Sequence, residues 1–241
     1  MRDNWNTSIA GDSIILVPYK RCFVEKYHSW MQDPSLLEAT ASEPLSLEEE
    51  YDMQKLWRHD VKKCTFIVLS KRLKLDDNSS ELDRMAGDVN IFLNDHDDKY
   101  NAEIEIMIAE PRYRRCGMAT EALKLMIYYG NTQLKITRFF AKINKKNIVS
   151  IALFRRCSDV VWFMKYTICD SIILTGDITD CLHSLSFREI NYVEAFEEYE
   201  YEFLLSGDDV QSLIQEWGVR SNTEHYERHD TGEIDNVDDD L

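Results

Sequence analysis

From Ile104 to Leu125 the chain reads IEIMIAEPRYRRCGMATEALKL, and the rest of the sequence is organised around this stretch. Ile104, Ile106 and Ile108 alternate with Glu103, Glu105 and Met107, the period of a strand with two different faces. Pro111 stops that strand. Arg114-Arg115-Cys116-Gly117-Met118-Ala119 follows, rich in small and basic residues, and from Met118 onward Ala119, Ala122, Leu123, Met126 and Ile127 recur at helical spacing. A helix that begins just after a glycine-containing loop offers free backbone N–H groups and the positive end of its dipole. Such a terminus takes an anion, and a pyrophosphate suits it. The plainer alternative is a basic loop that only caps a helix.

The loop has no Gly-Lys-Ser/Thr, so it is not a triphosphate P-loop, and it lacks the second spaced glycine of a dinucleotide fingerprint. It does match Arg/Gln-x-x-Gly-x-Gly/Ala at Arg114, Gly117 and Ala119. This pattern resembles the acetyl-CoA pyrophosphate loop of the GCN5-related N-acetyltransferase superfamily.

Working outward, Ser13 to Tyr19 is a short apolar run, a strand broken by Pro18. Arg21 to Met31 is amphipathic, with Phe23, Val24, Tyr27 and Trp30 toward a core. Pro34 can open a helical turn, and Ser46 with Glu49 has capping-box spacing ahead of Tyr51, Met53, Leu56 and Trp57. Cys64 to Leu69 is a dense strand signal, Leu73 to Asp83 a polar loop, and Met85 to Leu93 a third strand. Ile104 to Glu110 is the fourth strand and Phe139 to Ile143 the fifth. Asn147 can cap a helix carrying Ile148, Ile151, Ala152 and Phe154. Phe187 to Tyr192 and Tyr199 to Leu205 form a terminal strand pair.

The chain has 241 residues, a net charge of -16 and 44% hydrophobic residues, which describes an acidic globular protein. That charge argues against nucleic acid or an anionic membrane as the main partner and favours a cationic one. Met1 to Ala10 has no apolar core of signal-peptide length, and no apolar run is long enough for a bilayer. The six cysteines show no C-x-x-C pair, no metal site is expected, and a cytoplasmic location with reduced thiols is the default.

The resemblance extends beyond the loop. Trp30-Met31, Thr40 to Leu45, Glu49 to Tyr51, Met53-Gln54, Cys64 to Leu69, Gly87 to Asn90 and Glu103 to Pro111 are similar to the eukaryotic N-acetyltransferase 9 group. So are Ala141 to Ile143, Asn147, Ser150-Ile151 and Phe154. The resemblance implies an α/β (α+β) acetyltransferase fold: a mixed, mostly antiparallel sheet flanked by helices, with the fourth and fifth strands splayed. It implies acetyl-CoA as cosubstrate and a protein or peptide amine as acceptor, the N-terminal α-amine favoured over lysine. Pyrophosphate is then expected on Arg114, Arg115, Cys116, Gly117, Met118 and Ala119. The pantetheine arm is expected along Met107, Ile108 and Ala109, with Asn147 near it. One of those strand amides would stabilise the oxyanion of the addition step.

Glu103 and Glu105 are the candidate general bases. On a covered face their pKa values rise toward usefulness; on a solvated face they are surface charges. The superfamily often places a tyrosine on the helix after the fifth strand as the acid, and this chain has Phe154 there. Two departures from the group stand out. Its members carry Arg-Gly-Lys-Gly where this chain has Arg114-Arg115-Cys116-Gly117, which puts a side chain on Arg115 where positive φ would strain it. Cys157 to Ser184 is an insertion with the sharp edges of a translated retained intron. The expected organisation is an acetyltransferase domain over 1–205, interrupted at 157–184, and an acidic disordered tail over 206–241. The rival expectation is a catalytically weak or inactive protein of this fold that meets a basic or cytoskeletal partner.

Overall fold

A computed structural model describes residues 4–72, 80–155, 187–205 and 223–225. The expected insertion at 157–184 therefore lies outside the described residues, as does most of 206–241.

The strands are β1 (Thr7–Ala10), β2 (Ile14–Pro18), β3 (Lys63–Ser70), β4 (Met85–Phe92), β5 (Asn101–Ile108), β6 (Arg138–Asn144), β7 (Arg188–Val193), β8 (Glu198–Leu204) and β9 (Thr223–His225). They form one sheet in the order β7-β8-β6-β5-β4-β3-β2-β1-β9. The helices are α1 (Val24–Trp30), α2 (Pro34–Ala39), α3 (Leu47–His59), α4 (Glu81–Arg84) and α5 (Met118–Thr132), followed by α6 over residues 148–155. The expected fourth and fifth strands are thus β5 and β6.

Every pairing is antiparallel except β5 with β6, which is parallel and holds for Asn101–Glu103 against Arg138–Phe140. Beyond Glu103 no described residue of β6 pairs with β5. Ile104–Ile108 meanwhile stays paired with β4, and among the described residues no strand pairs with its other edge. The splay implied by the resemblance is present. Past its three paired residues β6 continues alongside β8 as far as Asn144.

The period-2 pattern of β5 separates the two faces. Ile104 joins a core with α5, built from Ala122, Leu123, Met126 and Ile127 against Phe66, Val89, Ile91 and Phe139. Met107 faces the other way, into a second core with Tyr27, Trp30 and Met31 beside Tyr19 and Ile67. Phe23, Val24, Tyr27 and Trp30 are buried there as their spacing predicts. Gly87 lets β4 and β5 approach closely: a Cβ at that position would lie 1.8 Å from the Met107 carbonyl oxygen.

Some elements differ from expectation. β1 was not signalled by its sequence; it is an edge extension held by pairing with β2. Thr223–His225, within the stretch expected to be a disordered tail, pair with β1 as β9. Within the expected polar loop before β4, Glu81–Arg84 make a helical turn closed by a Ser80–Asp83 capping box. The Ser46–Glu49 box does start α3. Yet α3 buries Glu50 and Gln54 and leaves Leu56 71% exposed. Gln54 is drawn inward because its Nε2 donates to the Tyr19 carbonyl at 2.9 Å.

Candidate active site

The turn expected to take the anion runs from Pro111 to Gly117. Gly117 is the N-cap of α5, with φ 85° and no side-chain cap hydrogen bond. A Cβ built on it would meet nothing within 4 Å, so this glycine borders open space. The first-turn amides of Met118, Ala119 and Thr120 have no carbonyl one turn earlier to bind. Glu121, the acid of that first turn, accepts from the Ser13 amide at 3.0 Å instead of pointing at those amides. Among the described residues no side chain caps this end of α5.

Arg115 has φ 57°. The left-handed conformation that the Arg-Gly-Lys-Gly pattern would assign to glycine is here imposed on an arginine, at a cost of about 1 kcal/mol. Arg114 turns back: its Nε donates to the Ile108 carbonyl at 2.9 Å and its Nη2 to the Ala109 carbonyl at 2.8 Å. It closes the end of β5 and brings positive charge against that strand edge. The Cys116 thiol donates to the Tyr113 carbonyl at 2.7 Å, and the Cys116 carbonyl accepts from Arg72 Nη2 at 2.8 Å. Across the splay, Asn147 caps α6 through its side-chain oxygen and the Ser150 amide at 3.1 Å.

The two glutamates expected as bases lie on the α1/α3 face. Glu103 is ion-paired to Lys142 of β6 at 3.1 Å. Glu105 makes no side-chain hydrogen bond or ion pair among the described residues. Its side chain is exposed to solvent, while neighbouring strands pack around its base. Burial, helped by the charge of Glu103 and opposed by Lys63, pushes its pKa up to about 7. The structure thus separates two glutamates that the sequence left equivalent.

Around them is a polar group that sequence reasoning missed. Asp88 is 2% exposed; it accepts from Asn90 Nδ2 at 2.8 Å and from the Tyr27 hydroxyl at 3.4 Å, and its Oδ1 has no partner among the described residues. Burial raises its carboxyl above the usual range. Lys63 is also buried, with Nζ 2.9 Å from the Trp57 ring centroid, and burial lowers its pKa to about 8. A signal existed: Lys63 and Thr65, then Asp88 and Asn90, put polar residues at alternate positions of two apolar strands, hence on one face.

The chain matches the family model described as acetyltransferase (GNAT) domain over residues 13–158. It belongs to the GNAT acetyltransferase family. An N-acetyltransferase 9-like protein of Nematostella vectensis is 53% identical to this acetyltransferase over 156 residues, covering 65% of this chain and 79% of that one. The human protein named alpha/beta-tubulin-N-acetyltransferase 9 is 47% identical over 158 residues, covering 65% and 76%. Among solved structures, spermidine N-acetyltransferase of Vibrio cholerae, in complex with CoA and spermine, shares the fold. Its TM-score is 0.58 at 16% identity, covering 80% of this chain and 96% of that one. The protein is an N-acetyltransferase of the GNAT type.

Within this acetyltransferase, Phe154 is not at an exposed catalytic edge. It is 3% exposed and packs against Phe187 at 4.7 Å and Tyr201 at 6.0 Å between ring centroids. An open recess of about 330 Å³ lies farther along the Glu105 side, lined by Lys142, Val193, Phe196, Glu198 and Glu200. No group of metal-ligating side chains occurs among the described residues, and no described helix is long and apolar enough to cross a membrane.

Proposed function

We propose that this acetyltransferase moves the acetyl group of acetyl-CoA onto the N-terminal α-amine of a protein or peptide. The observation that carries the reading is the edge of β5 past Glu103, which has no strand partner among the described residues and carries Glu105, in a chain whose next α-helix, α5, begins just after Gly117 with no side-chain cap. A molecule with a diphosphate, an extended amide-bearing arm and a thioester fits that edge and that helix start. The diphosphate would lie on the amides after Gly117, and the arm would add to the edge at Met107 to Ala109, displacing the Arg114 side chain from the Ile108 and Ala109 carbonyls. A strand amide there would stabilise negative charge on the acetyl oxygen. Asn147, at the start of α6, would border the arm from the other side of the splay.

Glu105 is the assigned base. It accepts the proton released as the amine nitrogen bonds to the acetyl carbon. The adduct then collapses with cleavage of the thioester C–S bond. CoA leaves as the thiolate, which takes its proton from water because Phe154 has none to give. A group with pKa about 7 is well matched to that work at neutral pH. Glu103, engaged by Lys142, supplies charge rather than proton transfer. At pH 7 roughly 10% of a free α-amine is neutral but only about 0.04% of a lysine, so an N-terminus asks less of the base. The relatives named for tubulin acetylation favour a protein acceptor. The acidic recess beside Lys142 suits an acceptor with positive charge near its end.

The deciding measurement is mass spectrometry of a tubulin N-terminal peptide that also contains a lysine, incubated with the full chain and acetyl-CoA. Acetyl is expected on the α-amine. Acetylation confined to the lysine, or none on either amine, would overturn the proposal.

A further inference from the structure

The polar group on the α1/α3 face contains a cation that touches no carboxylate. The Lys63 ammonium sits 2.9 Å from the centroid of Trp57 and 4.6 Å from that of Phe92. Among the described residues it makes no hydrogen bond or ion pair. A buried ammonium with only two rings for company has lost most of its hydration, and its charge acts over a distance that water would screen.

Sheet register fixes where that charge acts. Lys63 lies opposite Phe92, and Phe92 opposite Glu103. The next row on the same face is Thr65, Asn90 and Glu105. Lys63 and Glu105 are therefore two strands apart in neighbouring rows, about 10 Å laterally, which two long side chains can narrow. The groups facing Glu105 are Lys63 from β3, Asp88 from β4, Glu103 from its own strand and Lys142 from β6; Asp60, at the end of α3, faces Lys63. Lys142 is engaged by Glu103, and Asp88 by Asn90 and Tyr27. Three carboxyls thus share one face of β4 and β5, and Lys63 stands beside them on β3, across Phe92, with no hydrogen bond or ion pair among the described residues.

We propose that Lys63 is a positioning residue for acetyl transfer, an ammonium seated on Trp57 whose charge keeps Glu105 a carboxylate despite Glu103 and Asp88. This rests on the reading of Glu105 as base. Trp57 and Phe92 hold the ammonium back from a direct contact, so it favours the charged form of Glu105 without occupying the oxygen that takes the proton. The directions of the shifts agree: Lys63 pulls the Glu105 pKa down, and Glu105 and Asp88 pull that of Lys63 up.

The test is carbon-13 NMR titration of the Glu105 carboxyl in the full chain without substrate, between pH 5 and 9. Lys63→Met is expected to raise the midpoint by about one unit, a tenfold change in the ionisation ratio. Lys63→Arg is expected to leave it near the wild-type value. If Lys63→Met fails to fold, Lys63→Gln carries the same expectation with a polar side chain. An unmoved midpoint in a folded Met or Gln variant, or an Arg variant that behaves like Met, overturns the proposal. The pH profile of kcat/KM on the tubulin peptide is the second reading. Its acid limb should move with the NMR midpoint, lowering the rate at pH 6 about tenfold. A moved midpoint with an unmoved limb overturns the role in transfer. Wild-type protein that acetylates no peptide would instead fail the proposed function, before any variant is made.

Discussion

The two faces of the sheet are built to different standards. On the α5 face, Ile104, Phe66, Val89 and Phe139 are almost fully buried against the helix. On the α1/α3 face, buried Tyr19, Glu50 and Asp88 each keep an oxygen with no hydrogen-bond partner among the described residues. Leaving such groups unpaired costs about 1–3 kcal/mol apiece. A protein that can pack one face so well has no stability reason to load the other with charge. The expensive face carries Glu105, and the cheap face supplies the rigid frame that aims it. Substitutions on the two faces should therefore fail in different ways.

The largest effect is expected on the packed face. Phe66 is fully buried and meets Tyr129 edge-on at 5.2 Å. Phe66→Ala should cost about 3–5 kcal/mol of unfolding free energy while leaving kcat/KM near wild type well below the melting temperature. Denaturant unfolding beside a transfer assay reads both; a loss of activity in a still-folded variant would erase the contrast between faces.

On the charged face, Glu105→Gln should lower transfer at least about 100-fold. Stability should go the other way, and only at higher pH. A carboxyl whose folded pKa, about 7, lies above its unfolded value contributes stability below pH 4 to 5 that is lost as pH rises through 7. The Gln variant escapes that loss. It should melt higher than wild type at pH 8 and no higher at pH 4; equal melting at both values would show that the Glu105 carboxyl is not shifted as described.

Gly117→Asp tests the anion end. It adds a side chain at φ 85° and a negative charge at the mouth of α5. Acetyl-CoA affinity, read by calorimetry, should fall at least tenfold, about 1.4 kcal/mol. Unchanged affinity in a folded variant would move the pyrophosphate elsewhere. The smallest effect belongs to its neighbour. Arg115→Gly relieves the left-handed strain at φ 57° but frees the unfolded chain, so thermal stability should change by less than about 1 kcal/mol. A larger loss would mean that the Arg115 side chain holds the loop.

Much of this arrangement was legible along the chain. The alternation of Ile104, Ile106 and Ile108, the glycine ahead of a helical period, and the Ser46–Glu49 box are local signals, set by the pleat, by φ and by the first turn of a helix. They appear as β5, the Gly117 cap and the start of α3. The splay was not local. It depends on β6 leaving β5 after Glu103 to stay with β8, a choice between partners that no single segment encodes. It entered the sequence reading only through likeness to a family. The same holds for the difference between Glu103 and Glu105. Both sit on one face of one strand, and the alternation treats them alike. Lys142 from β6 reaches one, while Lys63 and Asp88 from β3 and β4 surround the other. Residue type and period determined which side chains share a face. Which of them is paired and which is left without an ion pair was decided by strands far apart in sequence, because charge and burial act through space and not along the chain.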